Sequence, residues 1–475
     1  MAWLFFATKD ASVIGIDGAA YWARAESSYP LSTFNELPIP GAVGFRAERS
    51  SGGVYQGDLY ITGGMSHNMR LTRRFGFVIQ GILPPQNELV NAAGSGTKVG
   101  YQASGTGITA TIIPYISFYD ENTEERSPLS EAGASLSLSN QGVAWSNLPT
   151  SQPEEDYKIL GDTTANASTS ITGTGTLWAR FIRIGDQIAL TSAPSTFSKV
   201  KSVTNTTVTV ATALGNGSTQ QIIVRRQPRW SHVELWRSVD GALPRLVARV
   251  PRGVTSYTDT VATGSLGEAF TEDFTRFPRC KFNAIWHDRQ VMAGDEENPH
   301  KVYLSLIGLM ERKSDIELET RNGEVVVGLG VVRDTLLVFC PTSTYVVSGY
   351  TEDDIQINMI QPSLGLVCHF AQANVHGDLW IATNLGPFKT DGSSWLPMNK
   401  RLKDAWTRDY ENRPTVYEDM FAVHDEVRQV VKFYMGEHPR TNDDRFLTLR
   451  YTYLVADYTV CTPLENGETN QPRYS

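Results

Sequence analysis

The sequence predicts an all-β protein, a β-propeller of about six blades interrupted by an inserted β domain. Three observations carry this reading. A polar turn leading into an alternating apolar strand recurs four times in the last two hundred residues. Amphipathic helical patterns are almost absent; the best is a short one at residues 399–410, where Leu402, Ala405 and Trp406 share a face. The 475 residues include 40 glycines and 23 prolines, with Thr and Ser between short apolar runs, which suits strands and turns.

The recurring signal is Trp286-His287-Asp288, Arg333-Asp334, His376-Gly377-Asp378 and His424-Asp425, each followed by a strand-forming run. Its aspartates lie 46, 44 and 47 residues apart, the length of one four-stranded blade. An earlier relative is Gly57-Asp58-Leu59-Tyr60-Ile61. Residues 96–272 carry no hairpin at this spacing and read as an insertion, leaving residues 1–95 for two N-terminal blades and 273–475 for four C-terminal ones. Met1–Ala7 is apolar, but it is short and runs into Lys9 and Asp10, so it is expected to be a first strand and not a signal segment. Whether it completes the last blade is open at this level.

Within the insertion, Ile108–Tyr119 is rich in β-branched and aromatic residues, and Asp120–Glu125 follows as a hairpin tip. Val233–Arg237, the turn Val239-Asp240-Gly241 and Arg245–Val250 form a second hairpin. Short strands at this spacing predict a fibronectin III/Ig-like sandwich. The sandwich is itself interrupted at residues 163–226, where Ile171–Trp178, Ile182–Leu190 and Val200–Val210 predict a small β-barrel.

The formal net charge of -9 argues against a module that grips nucleic acid through a basic groove. No segment approaches the roughly 18 apolar residues of a membrane helix. Cys280, Cys340, Cys368 and Cys461 have no metal or redox spacing and read as buried, reduced side chains.

Several stretches resemble the tail nozzle proteins of tailed phages, also described as tail hub, tail tubular or packaged-DNA stabilisation proteins. They are Val325–Gly349, Ile360–Val367 and Gly377–Gly392 in the repeats, and Phe75–Pro85, Glu124–Ser130, Glu234–Gly241 and Tyr257–Thr260 upstream. The likeness spans roughly residues 55–460 and lies in strand order and turn residues. The insert at 163–226 looks like a module attached to various phage tail proteins. The resemblance implies a virion protein assembled in the host cytoplasm, forming a homo-oligomeric, hexameric ring in the tail. The implied partners are the adaptor of the head-to-tail connector, tail fibres or a needle, and double-stranded DNA that passes through the channel without specific binding. It implies no enzyme activity and no cofactor.

The chemistry-bearing residues fit that expectation. His287-Asp288 and His424-Asp425 look like parts of a triad, but no nucleophile elbow accompanies them and they fall where the repeat needs a turn. Glu352, Asp353 and Asp354, and Asp443 with Asp444, lie in blade-end turns and are candidates for loops that line or gate the channel, where acidic groups would repel phosphate. Arg225, Arg226 and Arg229 are a basic group suited to subunit or adaptor contacts. Among Trp230, Trp236, Trp286, Trp380 and Trp395, only Trp395 is expected to stand exposed. Two alternatives remain: a carbohydrate-binding or glycoside-active propeller, which needs two carboxylates converging at its axis, and a phage fibre or baseplate component.

Overall fold

The computed structural model describes most of residues 51–398, together with 3–7, 11–16, 19–24, 35–37, 406, 420–437, 444–450 and 459–461. Within 51–398 the exceptions are residues 57, 64–67, 73–75, 152–156, 166, 175–177, 216, 227, 272–274 and 352. The described chain is all-β apart from short helical turns, α1 (Trp178–Phe181) and the 3-10 turns Thr263–Ser265 and Arg321–Gly323. Two compact units are present: residues 1–50, 54–278 and 311–315 form the first, and 51–53, 279–310 and 316–475 the second.

The chain opens with a four-stranded sheet of β1 (Trp3–Ala7), β2 (Ala11–Ile16), β3 (Ala19–Arg24) and β4 (Asn35–Leu37). A second follows, β5 (Ser51–Tyr55), β6 (Asp58–Thr62), β7 (Met69–Thr72) and β8 (Gly76–Ile79). The inserted sheet contains β9 (Leu89–Val90), β10 (Val99–Asp120), β11 (Glu125–Arg126) and β12 (Leu136–Ser146). The barrel strands come next: β13 (Tyr157–Ala165), β14 (Ser170–Thr174), β15 (Gln187–Leu190), β16 (Ser198–Val203), β17 (Thr207–Val210) and β18 (Gly217–Arg225). The chain then returns to the inserted sheet with β19 (His232–Val239), β20 (Arg245–Pro251) and β21 (Ser256–Asp259).

Four more four-stranded sheets complete the described chain. They are β22 (Phe282–Trp286), β23 (Arg289–Ala293), β24 (Lys301–Leu306) and β25 (Leu309–Glu319); then β26 (Gly328–Val332), β27 (Thr335–Phe339), β28 (Thr344–Ser348) and β29 (Gln356–Gln361). The last two are β30 (Gln372–Val375), β31 (Asp378–Thr383), β32 (Gly386–Thr390) and β33 (Trp395–Pro397), and β34 (Ala422–Asp425), β35 (Val430–Glu437), β36 (Asp444–Arg450) and β37 (Thr459–Cys461). β37 completes the last sheet, and β1 pairs within its own.

The insertion differs from two separate sheets. Its strands hydrogen-bond as one seven-stranded sheet, β20-β19-β10-β12-β21 with β9 and β11 on β10. The cause is the 22-residue β10, whose register shifts between Ser104 and Ala110. It pairs with β12 on both sides of the shift, as far as Ile112, and from Ile112 to Tyr119 it carries β19. One core takes side chains from both ends of β10: Val99 and Tyr101 from the first, Ile112, Ile116 and Phe118 from the second. Phe118 stacks on Trp230 with centroids 4.2 Å apart. The interruption is a closed barrel, β13-β14-β17-β16-β15-β18, filled by Ile171, Trp178, Ile188, Val208 and Ile222.

Charge is also buried in this sheet. Arg126 grips Glu234 with two N–H groups, at 2.7 and 3.1 Å, and Ser117 Oγ and Arg249 Nε also donate to Glu234. Arg237 pairs with Asp259 and donates to the Val261 carbonyl; both charged side chains are almost wholly enclosed.

In the second unit the sheets pack face to face. Val291, Val302 and Leu304 of one meet Leu329, Leu336 and Val338 of the next. Leu337 and Phe339 meet Leu379 and Ile381, and Trp380 and Ala382 meet Val431 and Phe433. The first strands are neighbours as well, β22 beside β26 and β30 beside β34. They begin at residues 282, 328, 372 and 422, which are 46, 44 and 50 apart.

Removing one member of the Arg237–Asp259 pair strands a charge inside the sheet. Arg237→Ala is expected to lower unfolding stability by about 3–5 kcal/mol, read from the denaturant midpoint of the inserted domain.

Candidate functional site

The first-strand hairpins of the second unit turn on two-residue loops, His287-Asp288, Arg333-Asp334 and His376-Gly377, and then on a four-residue loop after Asp425. His287 and Asp288 both take positive φ (46° and 55°), as do His376 and Gly377 (53° and 85°), the twist that suits a tight hairpin. The recurring aspartate does not hold one position. Asp288 and Asp334 lie in the loop, Asp58 and Asp378 open the return strand, and Asp425 ends the outgoing one. What repeats is the hairpin.

These turns tie each sheet to the next. Trp286 Nε1 donates to the Asp334 carbonyl at 2.8 Å, and Arg333 reaches Asp378 at 3.2 Å. The His376 ring meets His424 edge-on, centroids 5.8 Å apart. His287 stacks on Trp286. Asp378 also binds Lys389 at 2.7 Å, and Asp58 binds Arg70 at 2.9 Å from the matching place in its own sheet. The His-Asp pairs therefore serve as turn and packing residues.

At the opposite ends of the same first strands sits a polar cluster. Ser51 begins β5, Asn283 is the second residue of β22, Leu329 the second of β26, and Gln372 begins β30, three residues after His369. Ser51 Oγ lies 2.8 Å from His369 Nε2, accepts from the Asn283 N–H at 3.1 Å and donates to the Asn283 carbonyl at 3.2 Å. His369 Nδ1 accepts from the Leu329 N–H at 3.3 Å. Gln372 Nε2 donates to the carbonyls of Leu329 and His369, each near 2.8 Å. Because Nδ1 accepts, the proton belongs on Nε2, which donates to Ser51. In this tautomer His369 cannot withdraw the serine proton, so the pair is a clip and not a nucleophile with its base.

The cluster fixes the geometry of the sheets. Packed sheets stand about 10 Å apart, so three steps in a straight row would separate the first strands by about 30 Å. β5 packs on β22, with Gly53 so close to Ile285 that a Cβ would lie 2.7 Å from its side chain. β22 packs on β26, and β26 lies against the β30–β31 hairpin through Gln372 and Leu379. Ser51 nevertheless bonds to His369. Within the second unit, Ser51 thus shares one polar cluster with the starts of β22, β26 and β30.

Burial lowers the His369 pKa to about 4. The residue keeps a partly exposed edge, but its nitrogens are enclosed by the partners above and its ring leans on Phe282 at 4.9 Å.

The candidate channel residues are dispersed. Glu352 and Asp443 lie outside the described residues, and Asp444 opens β36. Asp353 and Asp354 occupy the loop between the third and fourth strands of their sheet. Asp354 Oδ1 accepts from the N–H groups of Tyr350 and Thr351 and from the Thr351 hydroxyl, and these bonds hold its carboxyl below the usual range. Arg225 lies over the Phe197 ring at 3.9 Å, and Arg226 sits near Asp186. Arg229 is bonded within its own unit: Glu311 takes its Nη1 at 2.7 Å and the carbonyls of Ile79 and Gly81 take its Nη2. Trp395 is half-buried against the Leu337 and Phe339 cluster, a correction to its expected exposure. Among the described residues no group of three or more His, Cys, Asp or Glu is placed to hold a metal, and Cys280, Cys340 and Cys368 are buried thiols.

Ser51, Asn283, His369 and Gln372 escape motif reading because no local spacing links them. In three of the sheets the signal is a polar residue at or near the start of the first strand, Ser51, Asn283 and Gln372. No protein-family model and no curated protein matches this chain.

Two outcomes are expected. The unfolded chain binds a proton at His369 near pH 6.5, the folded chain only near 4, so the stability present above pH 6.5 drains away as pH falls toward 4. The loss should be of order 2 kcal/mol after allowing for the exposed edge, and His369→Gln should flatten it in thermal melts across that window. Trp286→Phe should cost about 1 kcal/mol through the lost bond to Asp334, measured by denaturant unfolding.

Proposed function

We propose that the six four-stranded sheets are the blades of one propeller, that the inserted sheet and barrel are its appended sandwich and module, and that the protein is a structural ring component of a phage tail. The observation that carries this reading is the bond between Ser51 and His369, which fits first strands that converge as they do in a propeller better than an open stack. The chain order supports it too: two four-stranded sheets, a nested insertion, then four more sheets. That order is the pattern of the nozzle resemblance.

In this reading the mechanism is geometric. Copies meet through unlike faces, so a rotation that closes gives a ring around a channel. Excess negative charge on the chain lets DNA slide, since tight phosphate contacts would add friction. Asp353, Asp354 and Asp444 are lumen candidates in this reading, and Arg225, Arg226 and Arg229 are candidates for subunit or adaptor contact. Glu352 and Asp443 belong to the same proposed loops. The ring would join a head-to-tail adaptor on one side and fibres or a needle on the other.

Light scattering and electron microscopy of the purified protein, alone and with the adaptor, test the assembly. The expected particle is a closed ring of roughly six copies with an axial channel. A monomer under both conditions would overturn the ring, and a position away from the tail axis in a virion reconstruction would favour a fibre or baseplate role.

A further inference from the structure

The inserted domain is entered and left through a compact stem in the first unit, where residues 79–82, 228–230, 275–278 and 311–313 meet. The Gln80 N–H donates to the Asn68 carbonyl at 2.9 Å, and Asn68 Nδ2 donates to the Pro278 carbonyl at 2.7 Å. The Lys313 N–H donates to Thr275 at 3.0 Å. Arg229 holds the carbonyls of Ile79 and Gly81. Gly81, at φ +70°, presses against the Arg276 side chain, where any Cβ would collide.

Two carboxyl groups are enclosed here, Glu125 at 7% exposure and Glu311 at 9%. Glu311 has taken the strong donors: Arg70 Nη1 at 2.6 Å, Arg229 Nη1 at 2.7 Å and the Gly81 N–H at 3.3 Å. Burial pushes the Glu311 carboxyl up, but Arg229 and Arg70 outweigh it and hold the group below the usual range. Glu125 is in the opposite position. Its carboxyl accepts from the Ile82 N–H, while Oε1 is buried with no hydrogen-bond partner.

We propose that Glu125 is a proton-operated latch on this stem: the neutral acid lets the four segments close, and its ionisation loosens them. The charged groups facing it are Arg229, which follows β18, and Glu311 and Arg312 of β25. Beyond Glu311 stand Arg70 of β7 and Asp58 of β6. Ionisation would set a second buried carboxylate beside Glu311, whose arginine donors are already engaged. Burial, reinforced by Glu311 and opposed by Arg229 and Arg312, brings the Glu125 carboxyl up to about 7. A carboxyl raised above its ordinary 4.5 stabilises fully below that value, and the benefit is lost as pH rises through about 7.

The test is amide hydrogen exchange in peptides covering 79–82, 228–230, 275–278 and 311–313, corrected at each pH for intrinsic exchange. In the native protein, protection should fall about fivefold or more between pH 6 and 8 while the strands of β10 and β19 stay protected. Glu125→Gln should keep the pH 6 protection throughout. Flat protection in the native protein overturns the latch, and so does the same pH-dependent fall in the variant. If the variant does not fold, the native profile alone decides: a midpoint between pH 6 and 8 supports the latch and its absence overturns it.

Discussion

A four-stranded sheet that is apolar on both faces needs a neighbour on each side, and that need organises the second unit. Among the described residues its cores lie between successive sheets. Face-to-face packing alone would also permit an open row. A second constraint comes from hydrogen bonds among strand starts, which link Ser51, Asn283, Leu329, His369 and Gln372, while Gln372 Oε1 stays buried without a hydrogen bond. Burying polar groups is costly unless they are bonded, so these bonds favour the arrangement of strand starts that makes them.

The opposite strand ends obey a looser rule. Trp286 with Asp334, Arg333 with Asp378 and His376 with His424 link each turn to the next by a different chemistry. Side chains change from sheet to sheet while the contact between neighbouring turns persists. Polar and charged residues that invite a catalytic reading are thus occupied in holding the sheets together, as Asp354 is within its own loop. In the inserted sheet the same economy appears as Arg126, Arg249 and Glu234, and as Arg237 with Asp259.

The four-stranded repeat was legible because periodicity and turn chemistry are local. Hairpins at His287-Asp288, Arg333-Asp334 and His376-Gly377 need positive φ and polar tips, and both signs are written in adjacent residues. The small barrel was legible for the same reason. The joining of the inserted strands into one sheet through β10 was not, because a register shift near Ser104 leaves the apolar alternation on either side intact. Nor was the Ser51–His369 clip, which joins residues 318 apart. Arg229 resembled a surface cation in the sequence, since its partner Glu311 comes from a strand 82 residues away.

The convergence of first strands is tested most directly by an experimental density map of the purified protein at side-chain resolution. The account predicts Ser51 and His369 within hydrogen-bond distance, with the starts of β5, β22, β26 and β30 gathered around them. Sheets in an open row, with those two side chains about 30 Å apart, would contradict it.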